Sequence, residues 1–126
     1  MIKIPAEVPE WLKGLPVIPP PHEILEIPDG KCVELDIMGW EVGRMLIHPR
    51  YPGAPPEKWI KAIRVKVPPE KKKIGPPYWD ITPGTLVAQL EPLLASLDYR
   101  KYIFRICAHG VAPKKRFSIE VIPKKE

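Results

Sequence analysis

Basic side chains interleaved with aromatic rings are the residues of this 126-residue sequence best suited to chemistry. Arg50-Tyr51, Lys71-Lys72-Lys73 followed by Tyr78-Trp79, and Lys114-Lys115 beside Arg116-Phe117 form the main set, with Lys58-Trp59 as a further instance. Single-stranded nucleic acid is held by such sets: cations follow the phosphate backbone and rings stack on bases. A net charge of +5 suits a polyanionic partner without requiring one. Alternation places Trp59 and Phe117 at inward strand positions, which leaves Tyr51, Tyr78 and Trp79 to meet a ligand. The expected binding set is Arg50, Tyr51, Lys71, Lys72, Lys73, Tyr78, Trp79, Lys114 and Lys115. A competing reading takes the lysine runs as solvated loop tips and the Pro-stiffened Tyr and Trp residues as anchors for a protein partner. A rigid loop loses little entropy when it binds. The sequence carries no RRM, KH or zinc-knuckle signature.

Other chemistries find less support. His22, His48 and His109 show no common spacing, whereas a zinc site needs three or four ligands brought together. Cys32 and Cys107 are far apart, in neither a metal nor a disulfide-framework pattern. They read as two small buried thiols, with a single disulfide as the alternative. Cys107 is followed closely by His109, and the two share a face only if the strand runs that far. No G-x-S-x-G elbow is present, and Ser118 falls mid-strand. The segment Asp80-Ile81-Thr82-Pro83-Gly84, which precedes the helix, matches neither phosphate-binding glycine pattern. Glu34/Asp36 and Glu23/Glu26 are satisfied by solvent-facing strand positions. The expectation is a non-catalytic binding module without a cofactor. Its ligand would be single-stranded nucleic acid or another polyanion, and the alternative is a protein-interaction or assembly subunit.

The elements that position these residues follow from periodicity. Glu23 to Ile27 is a short strand candidate, and Pro28-Asp29-Gly30 is a turn. Val33, Leu35 and Ile37 alternate with Glu34 and Asp36, which predicts a half-buried strand from Lys31 to Gly39. Trp40 to His48 continues as a strand whose inward face is ambiguous, and Gly43 inside it suggests a bulge or close packing. A Pro-rich loop leads to a strand from Lys58 to Val67, with Arg64 and Lys66 opposite its apolar face. Glu70 to Asp80 reads as a second long loop. Leu86, Leu90, Leu93 and Leu97 recur at helical spacing, flanked by Val87 and Leu94 in one broad apolar stripe, so a helix spans about 83–97, with Thr82 as cap and a kink at Pro92. Tyr102, Phe104 and Ile106 then face Phe117, Ile119 and Val121 in a C-terminal hairpin.

These elements predict an α+β fold. It is a mainly antiparallel sheet, or partly open barrel, of about six short strands with one helix packed on it. The chain divides into a Pro-rich arm over 1–21, a single α+β domain over 22–122 and a polar tail over 123–126. Within the arm, Ile4, Trp11, Leu15 and Ile18 are the residues able to pack on the body. The sequence has 19 prolines, no Asn and one Gln, which is the composition of a protein that works hot. No apolar run approaches the roughly 18 residues of a membrane-spanning helix. The N-terminus lacks the apolar stretch of a signal peptide, so the cytoplasm is the expected compartment.

Overall fold

The structure, a computed structural model, describes residues 8–49, 52–111 and 114–124. Six antiparallel strands form two three-stranded sheets. β2 (Gly39–Ile47), β3 (Lys58–Lys66) and β4 (Tyr78–Ile81) make the first, in the order β2-β3-β4. β1 (Cys32–Leu35), β5 (Tyr102–His109) and β6 (Arg116–Pro123) make the second, in the order β1-β5-β6. The helix α1 (Gly84–Ser96) packs against β3 and β6. The fold is α+β, with a C-terminal hairpin and no closed barrel.

The period-2 patterns set what lies inside. Phe104 and Ile106 of β5 and Ile63 and Val65 of β3 are fully buried, and Leu86, Leu90 and Leu94 of α1 join them in one cluster. Ile119, Val121 and Tyr102 reach the same cluster half-buried, as the hairpin pattern requires. Within the expected broad stripe Leu86, Val87, Leu90 and Leu94 are buried, while Leu93 and Leu97 are only half-buried. Thr82 does not cap the helix. The N-cap is Pro83 in extended backbone, without a side-chain cap bond. Pro92 lies within the helix, where Ser96 Oγ donates to its carbonyl.

Three expectations are corrected. The segment from Glu23 to Ile27 is no strand. It makes one parallel bridge, Ile24 to Asp80, and then crosses to the second sheet. The loop from Glu70 to Asp80 ends in strand β4, because Tyr78-Trp79-Asp80-Ile81 finds a partner edge in β3. Rings and β-branched side chains suit a pleated, half-buried surface once such an edge exists. The cysteines are not buried thiols. Cys32 and Cys107 lie opposite each other in the β1–β5 register and form a disulfide, with Cys32 exposed and Cys107 half-buried on the outer face. At the C-terminus, Lys124 donates its N–H to the Lys101 carbonyl and its ammonium pairs with Asp36, so the described start of the tail is tied down.

The arm shapes the rest. A 3-10 turn, Glu10–Leu12, buries Leu12 completely and leaves Trp11 67% exposed. Ile18 is buried and Leu15 half-buried, and Ile4 lies outside the described residues. Arg44 of β2 exchanges backbone bonds with Pro16 and Ile18, so the arm pairs with the outer edge of β2 at that residue. It then crosses the outer face of the first sheet, where Ile18 packs on Met45 and Ala62. A Cβ on Gly43 would sit 2.5 Å from Ile18 Cγ1 and 2.7 Å from the Pro16 carbonyl oxygen, so this crossing requires glycine. Beyond a cis Pro20–Pro21 bond the chain reaches the far edge, where Glu23 and Leu25 exchange backbone bonds with Asp80 of β4. Both faces of β2 are therefore covered, which explains why its inward face was ambiguous.

Two outcomes are expected. Leu90→Ala, at a fully buried position under the sheets, lowers stability by about 2–5 kcal/mol in a denaturant titration. The disulfide closes a sequence separation of 75 residues. Replacing both cysteines by serine costs about 4 kcal/mol by the loop-entropy relation, and unreduced native protein gives no reaction with a thiol reagent. An unchanged melting transition in the double variant would show that the bridge does not constrain the unfolded chain.

Candidate functional site

The polar centre of the molecule is built on β3 and β4. Arg64 and Asp80 are cross-strand partners, both buried, at 5% and 0% exposure. Arg64 Nε donates to Asp80 Oδ1 at 2.7 Å and Nη2 donates to Oδ2 at 3.1 Å, a bidentate pair. Nη2 also donates to the carbonyls of Pro19 at 2.7 Å and Pro21 at 3.2 Å, in the crossing arm. Asp80 Oδ2 accepts the Glu23 N–H at 2.9 Å. The hydrogen bond to Asp80 raises the Arg64 pKa above its ordinary value, outweighing the opposing effect of burial. The guanidinium therefore stays charged at every working pH.

The predicted aromatic-basic loop is drawn into this centre. The Tyr78 hydroxyl donates to the Pro21 carbonyl at 2.5 Å, and the Arg64 guanidinium lies 4.0 Å from the Tyr78 ring centroid. Lys72 is buried. Its ammonium donates to Glu23 Oε1 at 2.5 Å and to the Pro76 carbonyl at 2.7 Å, and it sits 4.4 Å above the Trp79 ring. Gly75, at φ +80°, turns the loop back under this pair, and a side chain there would collide with Glu23. Trp79 is half-buried and packs on the main core.

The remaining predicted residues are dispersed. Lys71 and Lys73 are exposed on either side of buried Lys72. Lys114 is exposed. Lys115 is half-buried, 5.6 Å from the Phe117 ring, and lines a cleft of about 760 Å³. That cleft lies between the 24–28 segment and the first turn of α1, and Glu26 also faces it. Arg50 and Tyr51 lie outside the described residues. The structure thus gathers Lys72, Tyr78 and Trp79, but through contacts within the chain. It leaves Lys71, Lys73 and Lys114 in solvent.

A second cleft, of about 440 Å³, was not legible in the sequence. Its walls are Trp11 of the arm, Trp59 and Lys61 of β3, and Val87, Ala88 and Glu91 of α1. Lys61 and Glu91 are joined by an ion pair at 2.6 Å. The Arg44 guanidinium donates to the carbonyls of Leu12 and Lys13 at 3.4 and 3.3 Å and lies 5.6 Å from the Trp59 ring, fixing the turn that presents Trp11. The alternating pattern of β3 does mark Trp59 as inward. Nothing in the local sequence places Trp11 beside α1.

The histidines remain apart, His22 against the Ile18 carbonyl, His48 against that of Pro56 and His109 against Ser118 Oγ. His109 does share the outer face of β5 with Cys107, because β5 runs to His109. Among the described residues no group of three or more His, Cys, Asp or Glu is arranged to hold a metal ion. Nor is any described helix long and apolar enough to cross a membrane. No family model, curated protein or solved structure matches the chain.

Removing the carboxylate at the centre tests its place in the fold. Asp80→Ala leaves the Arg64 charge buried without its partner, which costs about 3–5 kcal/mol. The same variant frees the Glu23 N–H, so amide exchange at Glu23 and Leu25 is expected to speed up more than exchange in the β5–β6 hairpin.

Proposed function

We propose that the protein is a non-catalytic binding module and that its partner is another polypeptide, engaged at the cleft between the arm, β3 and α1. The observation that carries this reading is Trp11: a large apolar side chain, 67% exposed, at a cleft walled by Trp59 and Val87. Tryptophan is prominent among residues that dominate protein interfaces, because it offers much apolar area with few rotatable bonds. The arm that carries it is held by backbone pairing and by Arg64, so little entropy is lost in ordering it. Lys58 and the Lys61–Glu91 pair supply a polar surround. This reverses the order of the two expectations, because Lys72, Tyr78 and Trp79 already have partners within the chain.

A second reading, contact with a polyanion, rests on the larger cleft. Lys115 stands in one wall, and the first turn of α1, without a side-chain cap, stands in the other. Backbone N–H groups at a helix start attract anions.

One experiment separates the two. Peptides selected from a random display library on the immobilised protein are titrated against it by tryptophan fluorescence, in parallel with single-stranded DNA and RNA oligomers at low salt. The polypeptide reading expects peptides with an apolar anchor whose affinity falls roughly tenfold or more in Trp11→Ala. Oligomer binding that weakens steeply as salt rises and is lost in Lys115→Ala would favour the polyanion reading instead. Peptide binding indifferent to Trp11→Ala would remove the cleft as the site.

A further inference from the structure

The four sheet edges are treated unequally. The outer edge of β2 is met at Arg44 by Pro16 to Ile18, and that of β4 at Asp80 by Glu23 to Leu25. β1 is four residues long and disulfide-bonded to β5. β6 is eight residues long, and among the described residues no strand lies on its outer side. Long unpaired edges offer a row of N–H and C=O groups to another strand, and proteins ordinarily shorten or cover them. Here β1 is short, β2 and β4 each meet a crossing segment, and β6 is the long edge that no described segment pairs with.

The register shows which groups are on offer. Ala108 of β5 donates its N–H to the Lys31 carbonyl, on the β1 side. Even-numbered residues of β5 therefore turn their backbone toward β1, and odd-numbered ones turn toward β6. His109 opposes Arg116, Cys107 opposes Ser118 and Arg105 opposes Glu120. The backbone groups of Arg116, Ser118 and Glu120 are thus used in the β5–β6 ladder. Those of Phe117, Ile119 and Val121 face outward, and no described backbone hydrogen bond reaches them.

We propose that the outer edge of β6 binds the β6 edge of a second copy of this chain, antiparallel about a two-fold axis at Ser118, giving a continuous six-stranded sheet. Charge selects both the occupant and the register. With Ser118 on the axis, Arg116 lies opposite the partner's Glu120, and Glu120 lies opposite the partner's Arg116, forming two symmetry-related ion pairs on the outer face. Phe117 exchanges both backbone bonds with the partner's Ile119, because both residues present outward-facing groups. Moving the axis to Glu120 sets two carboxylates face to face, which is unfavourable for directly opposed strand residues. An isologous contact of this kind closes on itself and does not propagate.

The test uses sedimentation velocity on the full chain at concentrations from about 1 µM to about 1 mM. The wild-type chain is expected to pass from monomer to dimer, and the amides of Phe117 and Ile119 are expected to become protected from exchange as it does. Arg116→Glu and Glu120→Arg lie on the solvent face, so each keeps the native circular dichroism spectrum. Each alone opposes like charges across the axis and weakens dimerisation tenfold or more. Mixed one to one, the two variants restore both ion pairs, and a heterodimer forms at the wild-type concentration. A wild-type chain that stays monomeric throughout overturns the proposal. So does self-association that survives in either variant alone, or a mixture that associates no better than its components.

Discussion

One buried guanidinium holds the two halves of the first sheet and the N-terminal arm in a single arrangement. Arg64 has a planar fork of donors, and the structure uses it in two directions: toward both oxygens of Asp80 on the next strand, and toward two carbonyls of the proline-rich crossing. Lysine could not do this, because a point charge has no fixed fork. A buried ion pair need not add net stability, since desolvation opposes the attraction. Its contribution here is geometric. The prolines of the arm lack N–H groups, so their carbonyls are the backbone groups available for anchoring, and Arg64 supplies the donors.

Several other features depend on that anchoring. With the arm in place, Asp80 accepts the Glu23 N–H, the chain continues along β4, and the Glu23 carboxylate reaches Lys72. Earlier in the arm, Pro16 and Ile18 pair with β2 at Arg44, whose side chain also fixes the turn bearing Trp11. Cleft and covered edges are therefore consequences of one crossing, and the crossing exists because Gly43 leaves room for Ile18. Among the described residues the second sheet has no such strap. It is held by the disulfide and by apolar burial, and no described strand pairs with the outer edge of its last strand.

Part of the interleaving of cations and rings that suggests a nucleic-acid surface, Lys72 with Tyr78 and Trp79, is folded inward. Arg44 meets Trp59, Arg64 meets Tyr78 and Lys72 meets Trp79 within the molecule. A cation over a ring face is favourable by about 0.5–2 kcal/mol, more when both are withdrawn from water. In a chain with almost no amide side chains, these contacts and the ion pairs take over the polar linking that Asn and Gln often supply. The same composition that produces a basic-aromatic sequence therefore also provides the means of consuming it internally.

Alternation over Val33-Leu35, Ile63-Val65, Phe104-Ile106 and Phe117-Ile119 was enough to mark these residues as facing the main core. The leucine spacing was enough to place one helix against it, since both depend only on the geometry of a single element. The glycine inside β2 signalled a bulge or a close approach, and the crossing of Ile18 decides for the second. Partnership was not legible. Tyr78 to Ile81 reads as loop by its neighbours and becomes a strand because β3 has an edge free. Glu23 to Ile27 reads as strand and becomes a crossing because only Glu23 to Leu25 meets β4. Lys72 is one of three identical neighbours, and only its pairing with Glu23 decides that it is the buried one. Cys32 and Cys107 could pair only after the β1–β5 register set them opposite. In each case the deciding contact joins residues distant in the chain, so local pattern carries no trace of it. Periodicity determined what faces inward, and the folded backbone alone decided what each strand, cation and thiol faces.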